Sequence, residues 1–310
     1  MISELRVATV AVADLERSCA FYADTFGYVR LGEGTVGGPA AERAWQMPPG
    51  LTGRAVVMGP EGATTGLLRL VGFDAPGEPY WGDYSRAQDY GHYALNIRVP
   101  EIRTAIARLR GAGGRSKSEP THWTVMPDLS AWDSLSYDPD GVILDVFELE
   151  PGEASLLAGY DGRPSELQTV AMHVSDARAS AAFYQGLGYA ELYEKLIERM
   201  ESFFRLPPET GLHNINLYMP GDTLTGRVEI AQYVGFPGRD QRDRAVPPRL
   251  GILSVSMETD DLDATSALVT KLGGEPVCEP VELDLPPYGP ARVRTFFGPD
   301  GEVLEFYQCG

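Results

Sequence analysis

The stretch Val10-Ala11-Val12-Ala13-Asp14-Leu15, followed by Phe21-Tyr22 and Gly27-Tyr28, decides the fold, because the chain writes it twice. The second copy is Ala171-Met172-His173-Val174-Ser175-Asp176, followed by Phe183-Tyr184 and Gly188-Tyr189. In both copies the Asp stands seven residues before the Phe-Tyr pair, and Asp176 follows Asp14 by 162 residues. Later signals repeat at an offset of 160: Leu109-Arg110-Gly111-Ala112-Gly113-Gly114 matches Val269-Thr270-Lys271-Leu272-Gly273-Gly274, and Asp138-Pro139-Asp140-Gly141 matches Gly298-Pro299-Asp300-Gly301. Matched signals at a nearly constant offset imply a duplicated domain.

Each half divides again. An apolar strand pattern from Leu5 to Val12 precedes a helix whose Leu15, Cys19, Tyr22 and Phe26 form one stripe, with Asp14 where an N-cap belongs. The same order recurs at Tyr93 to Val99, before a helix with Ile102, Ile106 and Leu109 on one side that residues 111–114 stop. A third unit runs from Leu167 with a helix at about 177–187, and a fourth from Ile252 with a helix at 262–272. About three strand-like stretches follow each helix. The unit is therefore strand–helix–three strands, with modules at about 5–73, 92–149, 167–236 and 250–309. Polar, Pro- and Gly-rich segments separate them at 74–91 and 237–250. This predicts an α+β chain of two domains, 1–150 and 167–310, joined by a linker at 151–166.

Composition narrows the function. Against 26 Lys and Arg stand 44 Asp and Glu, a formal net charge of −18. Nucleic acid and anionic membrane both select clustered basic residues, so neither is expected as a partner. No apolar run approaches the roughly 18 residues of a membrane span. The N-terminus lacks a basic segment followed by an apolar one, and Cys19, Cys278 and Cys309 form no metal or disulfide spacing. A cytoplasmic protein is the expectation.

Strand, Asp, helix with Phe-Tyr, then Gly-Tyr, closing in Pro-Asp-Gly before a strand, resembles the vicinal oxygen chelate superfamily. That group includes glyoxalase I, bleomycin-resistance proteins and extradiol dioxygenases, and four modules in one chain look most like the two-domain dioxygenases. The resemblance implies two glyoxalase-like domains, each a cupped mixed sheet with helices outside. It also implies a divalent metal held by a His or Gln on each first strand, seven residues before the helix cap, and by a Glu on each last strand, four residues after the Gly of Pro-Asp-Gly. Carried onto this chain, the first-strand positions are Val7, Ala94, Thr169 and Ser254, none of them His. The last-strand positions give Asp145, Glu229 and Glu305, whereas Gly66 to Arg69 of the first module holds no carboxylate.

Iron and zinc sites favour imidazole or thiolate ligands, so no metal is favoured here. Were one bound, Glu229 with Glu305, or His92 with Asp145, would hold it. The reading that follows is an enzyme without the usual His-containing metal site, with lyase- or isomerase-type acid–base chemistry in the C-terminal cavity. Glu305, Glu229 and His173 are its expected catalytic groups, and Thr169, Ser254, Tyr307 and His213 its expected substrate contacts. Residues 79–84, Pro-Tyr-Trp-Gly-Asp-Tyr, are read either as a lid for a planar substrate or as cover for a module junction. The alternatives are a protein that sequesters a metabolite or antibiotic, and a metal-dependent dioxygenase- or glyoxalase-like enzyme with unconventional ligands. The partner is expected to be a small molecule, planar or aromatic, and the chain a monomer or homodimer.

Overall fold

Acidic caps start the helices that order the fold. In the computed structural model, Asp14, Asp176 and Asp261 each accept the backbone N–H three residues on, and Glu101 accepts those of Arg103 and Thr104. These bonds satisfy donors that a helix start leaves open, and the carboxylates favour the positive end of the helix dipole. Gly27 ends the first helix at φ 74°, returning its N–H to Ala23. The structure describes residues 1–310 except 82–88, 127–128, 151–161, 199–202, 204–206, 222–224 and 287.

The first module contains β1 (Ile2–Val12), α1 (Leu15–Phe26), β2 (Val29–Val36), α2 (Gly38–Ala44), β3 (Gly53–Gly59) and β4 (Leu67–Phe73). The second contains β5 (Gly91–Arg98), α3 (Ile102–Gly111), β6 (Arg115–Ser116), β7 (Thr121–Met126), β8 (Leu129–Tyr137) and β9 (Ile143–Leu149). The third contains β10 (Leu167–His173), α4 (Ala177–Gly186), β11 (Ala190–Ile197), β12 (Gly211–Tyr218) and β13 (Arg227–Val234). The fourth contains β14 (Gly251–Thr259), α5 (Leu262–Lys271), β15 (Glu275–Pro276), β16 (Val281–Leu285), β17 (Gly289–Phe297) and β18 (Val303–Cys309).

These strands make two mixed sheets of nine strands each, as the α+β reading requires. The partnership of the modules differs from the expectation. The first sheet runs β15-β17-β18-β14-β1-β4-β3-β2 and joins the first module to the fourth. The second runs β11-β12-β13-β10-β5-β9-β8-β6 and joins the second module to the third. The seams are antiparallel, β1 on β14 and β5 on β10. The cupped sheets are thus not the two halves of the sequence. Four similar modules present similar first-strand edges, and sequence similarity does not say which edge meets which.

Two crossing segments make this exchange. One follows β4 and leads to β5, the other follows β13 and leads to β14, and their described residues meet, with Gly77 N–H on Pro248 O at 2.8 Å and Tyr80 N–H on Leu250 O at 3.1 Å. Tyr80 is buried here, its hydroxyl donating to His92 O at 2.9 Å. The aromatic segment therefore covers a junction, while Gly82, Asp83 and Tyr84 lie outside the described residues.

Alternation along β1 shows how the layers form. Ala8, Val10 and Val12 enter a large core with Tyr22 of α1, Leu109 of α3, Tyr184 of α4 and Val269 of α5, together with strands of both sheets. Ala11 faces the other way, into the cup of the first sheet. No helix among the described residues is long and apolar enough to cross a membrane.

Candidate active site between the second and third modules

The two cups are chemically different. That of the first sheet is filled by its own chain. After α2, Trp45 and Met47 pack with Val71, Leu253, Val293 and Tyr307 in a closed apolar cluster. Within it the Trp45 indole N–H donates to Glu305 Oε2 at 2.6 Å, and the Ser256 hydroxyl to Oε1 at 2.7 Å. The Arg69 guanidinium stands 3.4 Å from Oε1, and neither charged side chain reaches solvent. Arg69 lies at the end of the stretch where the first module lacks a carboxylate. It supplies the positive charge that Glu305 needs in order to be buried.

This corrects the expected C-terminal site. Glu305, Ser254 and Tyr307 lie in the first sheet and Glu229 in the second, so Glu305 and Glu229 share no cavity and form neither an acid–base pair nor a joint metal site. Tyr307 stacks on Tyr288 with ring centres 4.3 Å apart, and Ser254 is buried opposite Thr9.

The cup of the second sheet keeps a cavity of about 100 Å³ lined by β5 and β7 to β13. Arg227 and Glu229 stand two apart on β13 and face it together, as do Asn214 and Asn216 on β12. Asp145 of β9, Asp133 of β8, Asn96 of β5 and Thr169 of β10 complete its polar wall. Trp123, Phe147 and Leu212 are among the apolar residues around it.

Hydrogen bonding separates the three carboxyl groups. Asn96 Nδ2 donates to Glu229 Oε2 at 2.5 Å and Asn214 Nδ2 to Oε1 at 2.7 Å, so both oxygens are held. Burial pushes the Glu229 pKa up, while the Asn214 bond and the nearby Arg227 charge work against the rise. Asp145 lies well above the usual carboxylate range, first through burial and then through the charge and hydrogen bond of Asp133. Asp133 is raised too, through burial. Two buried carboxyls that raise each other's cost of ionisation lose their protons in steps that belong to the pair, so Asp133 and Asp145 titrate as a unit. The cup thus sets two neighbouring carboxyls, both pushed upward by burial, beside a carboxylate whose oxygens both accept amide N–H bonds.

Among the expected site residues, Thr169 and Glu229 line this cavity, with Asp145. The histidines do not. His173 is sandwiched between Tyr93 and Tyr233, at centroid distances of 3.9 and 4.4 Å, in an aromatic cluster. His213 points away from the wall made by its neighbours Leu212 and Asn214, and its Nε2 meets Glu194 at 2.6 Å. His92 does not pair with Asp145. The register between β5 and β10 shifts next to it, and its Nε2 lies 3.0 Å from Val303 O of the first sheet. Burial lowers its pKa to about 4.

Asn96, Asp133, Asn214, Asn216 and Arg227 were not singled out by the sequence reading. Two of these positions carry a signal in alternation alone: Asn214-Ile215-Asn216 and Arg227-Val228-Glu229 each put two polar groups on one face of a strand. Asn96 stands two residues past Ala94, on the face that the spacing rule identified. The donor set does not fit the metal that the resemblance implies. Amide and hydroxyl groups replace the imidazoles, and Glu229 turns both oxygens toward N–H donors. Among the described residues no three His, Cys, Asp or Glu side chains stand close enough to hold an ion.

Comparison with known proteins agrees with this architecture. Glyoxalase I from Zea mays superposes with a TM-score of 0.63 at 18% identity, over 99% of this chain and 92% of that one. A point mutant of the same maize enzyme gives 0.64 at 20% identity, over the same shares. A putative dioxygenase from Bacillus subtilis subsp. subtilis str. 168 gives 0.61 at 12% identity, over 99% of this chain and 85% of that one. At such identities the likeness shows the fold. No curated protein matches the sequence. The family described as Glyoxalase/Bleomycin resistance protein/Dioxygenase superfamily matches residues 5–146. The whole chain shares the fold of the maize enzyme, four modules in two cupped sheets, and its residues 5–146 match that superfamily's model.

Proposed function

We propose that the chain is a small-molecule enzyme of lyase or isomerase type, moving protons in the cavity between the second and third modules. The observation that supports this reading is the contrast within one cavity between the Asp133–Asp145 pair and Glu229. Environments that push titrating groups apart create an acid and a base side by side. Glu229, held by Asn96 and Asn214, is the base, and its upward shift makes it a stronger one. The proton of the aspartate pair is the acid.

With a carbonyl compound bound, Glu229 takes a proton from the carbon next to the carbonyl. The electron pair of that C–H bond forms a C=C bond, and the carbonyl oxygen takes the proton of the aspartate pair, which leaves an enol. Where the deprotonated carbon carries a hydroxyl the enol is an enediol: return of the proton from Glu229 to the former carbonyl carbon, with the other hydroxyl giving its proton back to the aspartate pair as its C–O becomes C=O, is isomerisation. Departure of a leaving group from the next carbon, with the enol proton returning to the aspartate pair as the carbonyl re-forms, is elimination. Well-placed acid–base groups contribute about 10²–10⁴-fold each.

The test is exchange of substrate hydrogen with D2O, followed by NMR over a panel of small ketones and aldehydes. The wild-type protein accelerates exchange next to the carbonyl, and Asp145→Asn lowers the rate at least about 100-fold with its circular dichroism unchanged. A ligand that binds stoichiometrically and leaves with its hydrogens unexchanged contradicts this reading and supports sequestration.

A further inference from the structure

The cavity holds a cation that the proton-transfer reading does not use. Arg227 lines it two residues before Glu229, and among the described residues its guanidinium makes no hydrogen bond or ion pair, its Nε being buried without a partner. A guanidinium without bonds is costly away from water, and its planar fork matches a carboxylate or phosphate. The chain has 44 acidic side chains, yet no described one forms an ion pair with this cation.

The same cavity has the complementary shortage. Asn96 Oδ1 and Asn216 Oδ1 are acceptors without a donor. Both side chains are at least nine-tenths buried and line the cavity. A ligand that satisfies the guanidinium and these amide oxygens carries one anionic group and at least one hydroxyl. Size limits it further. About 100 Å³ is less than the roughly 150 Å³ void that admits benzene, which favours a short chain of roughly three to five carbons over a ring.

We infer that Arg227 is the anchor for the anionic group of a short hydroxylated carboxylate, with Asn96 and Asn216 receiving its hydroxyl. Taken with the proton-transfer reading, on which only this part rests, the substrate is a hydroxy-keto acid whose exchangeable C–H bond faces Glu229. The proton on the aspartate pair also explains how an acidic pocket accepts an anion: Arg227 meets the ligand with less opposing charge around it.

Calorimetry with three matched probes tests the assignment. Hydroxypyruvate has carboxylate, ketone and hydroxyl; pyruvate lacks the hydroxyl; dihydroxyacetone lacks the charge. The wild-type protein is expected to bind hydroxypyruvate more tightly than either of the others. Arg227→Gln weakens hydroxypyruvate by about 10- to 100-fold and leaves dihydroxyacetone unchanged. Arg227→Lys, which keeps the charge, retains part of the affinity and guards against a folding defect in the Gln variant. Equal binding of hydroxypyruvate by wild type and Arg227→Gln overturns the assignment, as does dihydroxyacetone binding as tightly as hydroxypyruvate, or none of the three binding. D2O exchange on the same samples separates the two readings. Charge-dependent binding without exchange supports the Arg227 anchor and overturns proton transfer alone.

Discussion

Glu305 and Glu229 occupy equivalent places in their modules, and their surroundings give them opposite characters. Glu305 meets Arg69, Trp45 and Ser256 with its side chain fully buried, so it ties the packed interior of the first cup together. Removing one partner of a buried ion pair leaves the other charge uncompensated, at a cost of about 3–5 kcal/mol. Glu305→Gln is therefore expected to lower unfolding free energy by that order in a urea titration, and a change below about 1 kcal/mol would show that the pair is not what closes the cup. Position in the motif was legible in the sequence for both glutamates. What separates them was not, because Arg69 and Trp45 come from the first module, 236 and 260 residues from Glu305. The histidines show the reverse. Residue type suggested chemistry, but His173 lies among tyrosines and His213 on the far face of β12.

At the scale of elements, the Pro-Asp-Gly turns have a structural task. Asp140 accepts the Ala13 N–H at 3.2 Å and pairs with Arg17 at the start of α1, and Asp300 accepts the Ser175 N–H at 2.7 Å and the Ser180 hydroxyl at 2.6 Å at the start of α4. Each turn thus ties together neighbours in sequence whose strands lie in different sheets. Beneath each turn is a second carboxyl, met by a tyrosine: Asp138 by Tyr22 at 3.2 Å and Glu302 by Tyr184 at 2.8 Å. Burial raises both to about 7, with the adjoining Asp140 or Asp300 adding to the rise. Unfolded, these groups titrate near 3.9 and 4.3. A carboxyl raised in the folded state binds its proton more tightly there, so its contribution is full below pH ~4 and is lost as pH rises through about 7. Asp138→Asn and Glu302→Gln are each expected to flatten the fall in Tm between those limits relative to wild type. Parallel pH profiles of variant and wild type would contradict it. The repeat announced these turns in the sequence, and the helix caps at Asp14, Asp176 and Asp261 with them, since both are local signals. The register between β5 and β10 shifts between Asn96 and Ile97, inside the stretch over which the spacing was counted, and that pairing with another module is not visible in local sequence, so the spacing rule fell on Ala94 and missed Asn96.

Across the whole molecule, the duplication was plain in the sequence and the exchange of partners was not. The sheets meet through a pseudo-symmetric set of backbone bonds, Leu5 N–H to Gly226 O at 3.0 Å and Leu167 N–H to Gly66 O at 2.9 Å. Both glycines have positive φ, and a Cβ at Gly226 would fall 2.4 Å from Leu5 O, at Gly66 2.6 Å from Leu167 O. Alanine at either position is expected to lower Tm by several degrees through clash and strain together, and an unchanged melting curve would place the sheet contact elsewhere. The exchange also decides which carboxyls share a cavity. It brings Asp145 and Glu229 to one and leaves Glu305 buried against Arg69 and Trp45 in the other sheet. The most direct measurement is the rate of D2O exchange into hydroxypyruvate by Glu229→Gln and Glu305→Gln, side by side at a temperature where both are folded. The account predicts loss of at least about 100-fold in Glu229→Gln and a near wild-type rate in Glu305→Gln. Loss in Glu305→Gln with exchange intact in Glu229→Gln would contradict it.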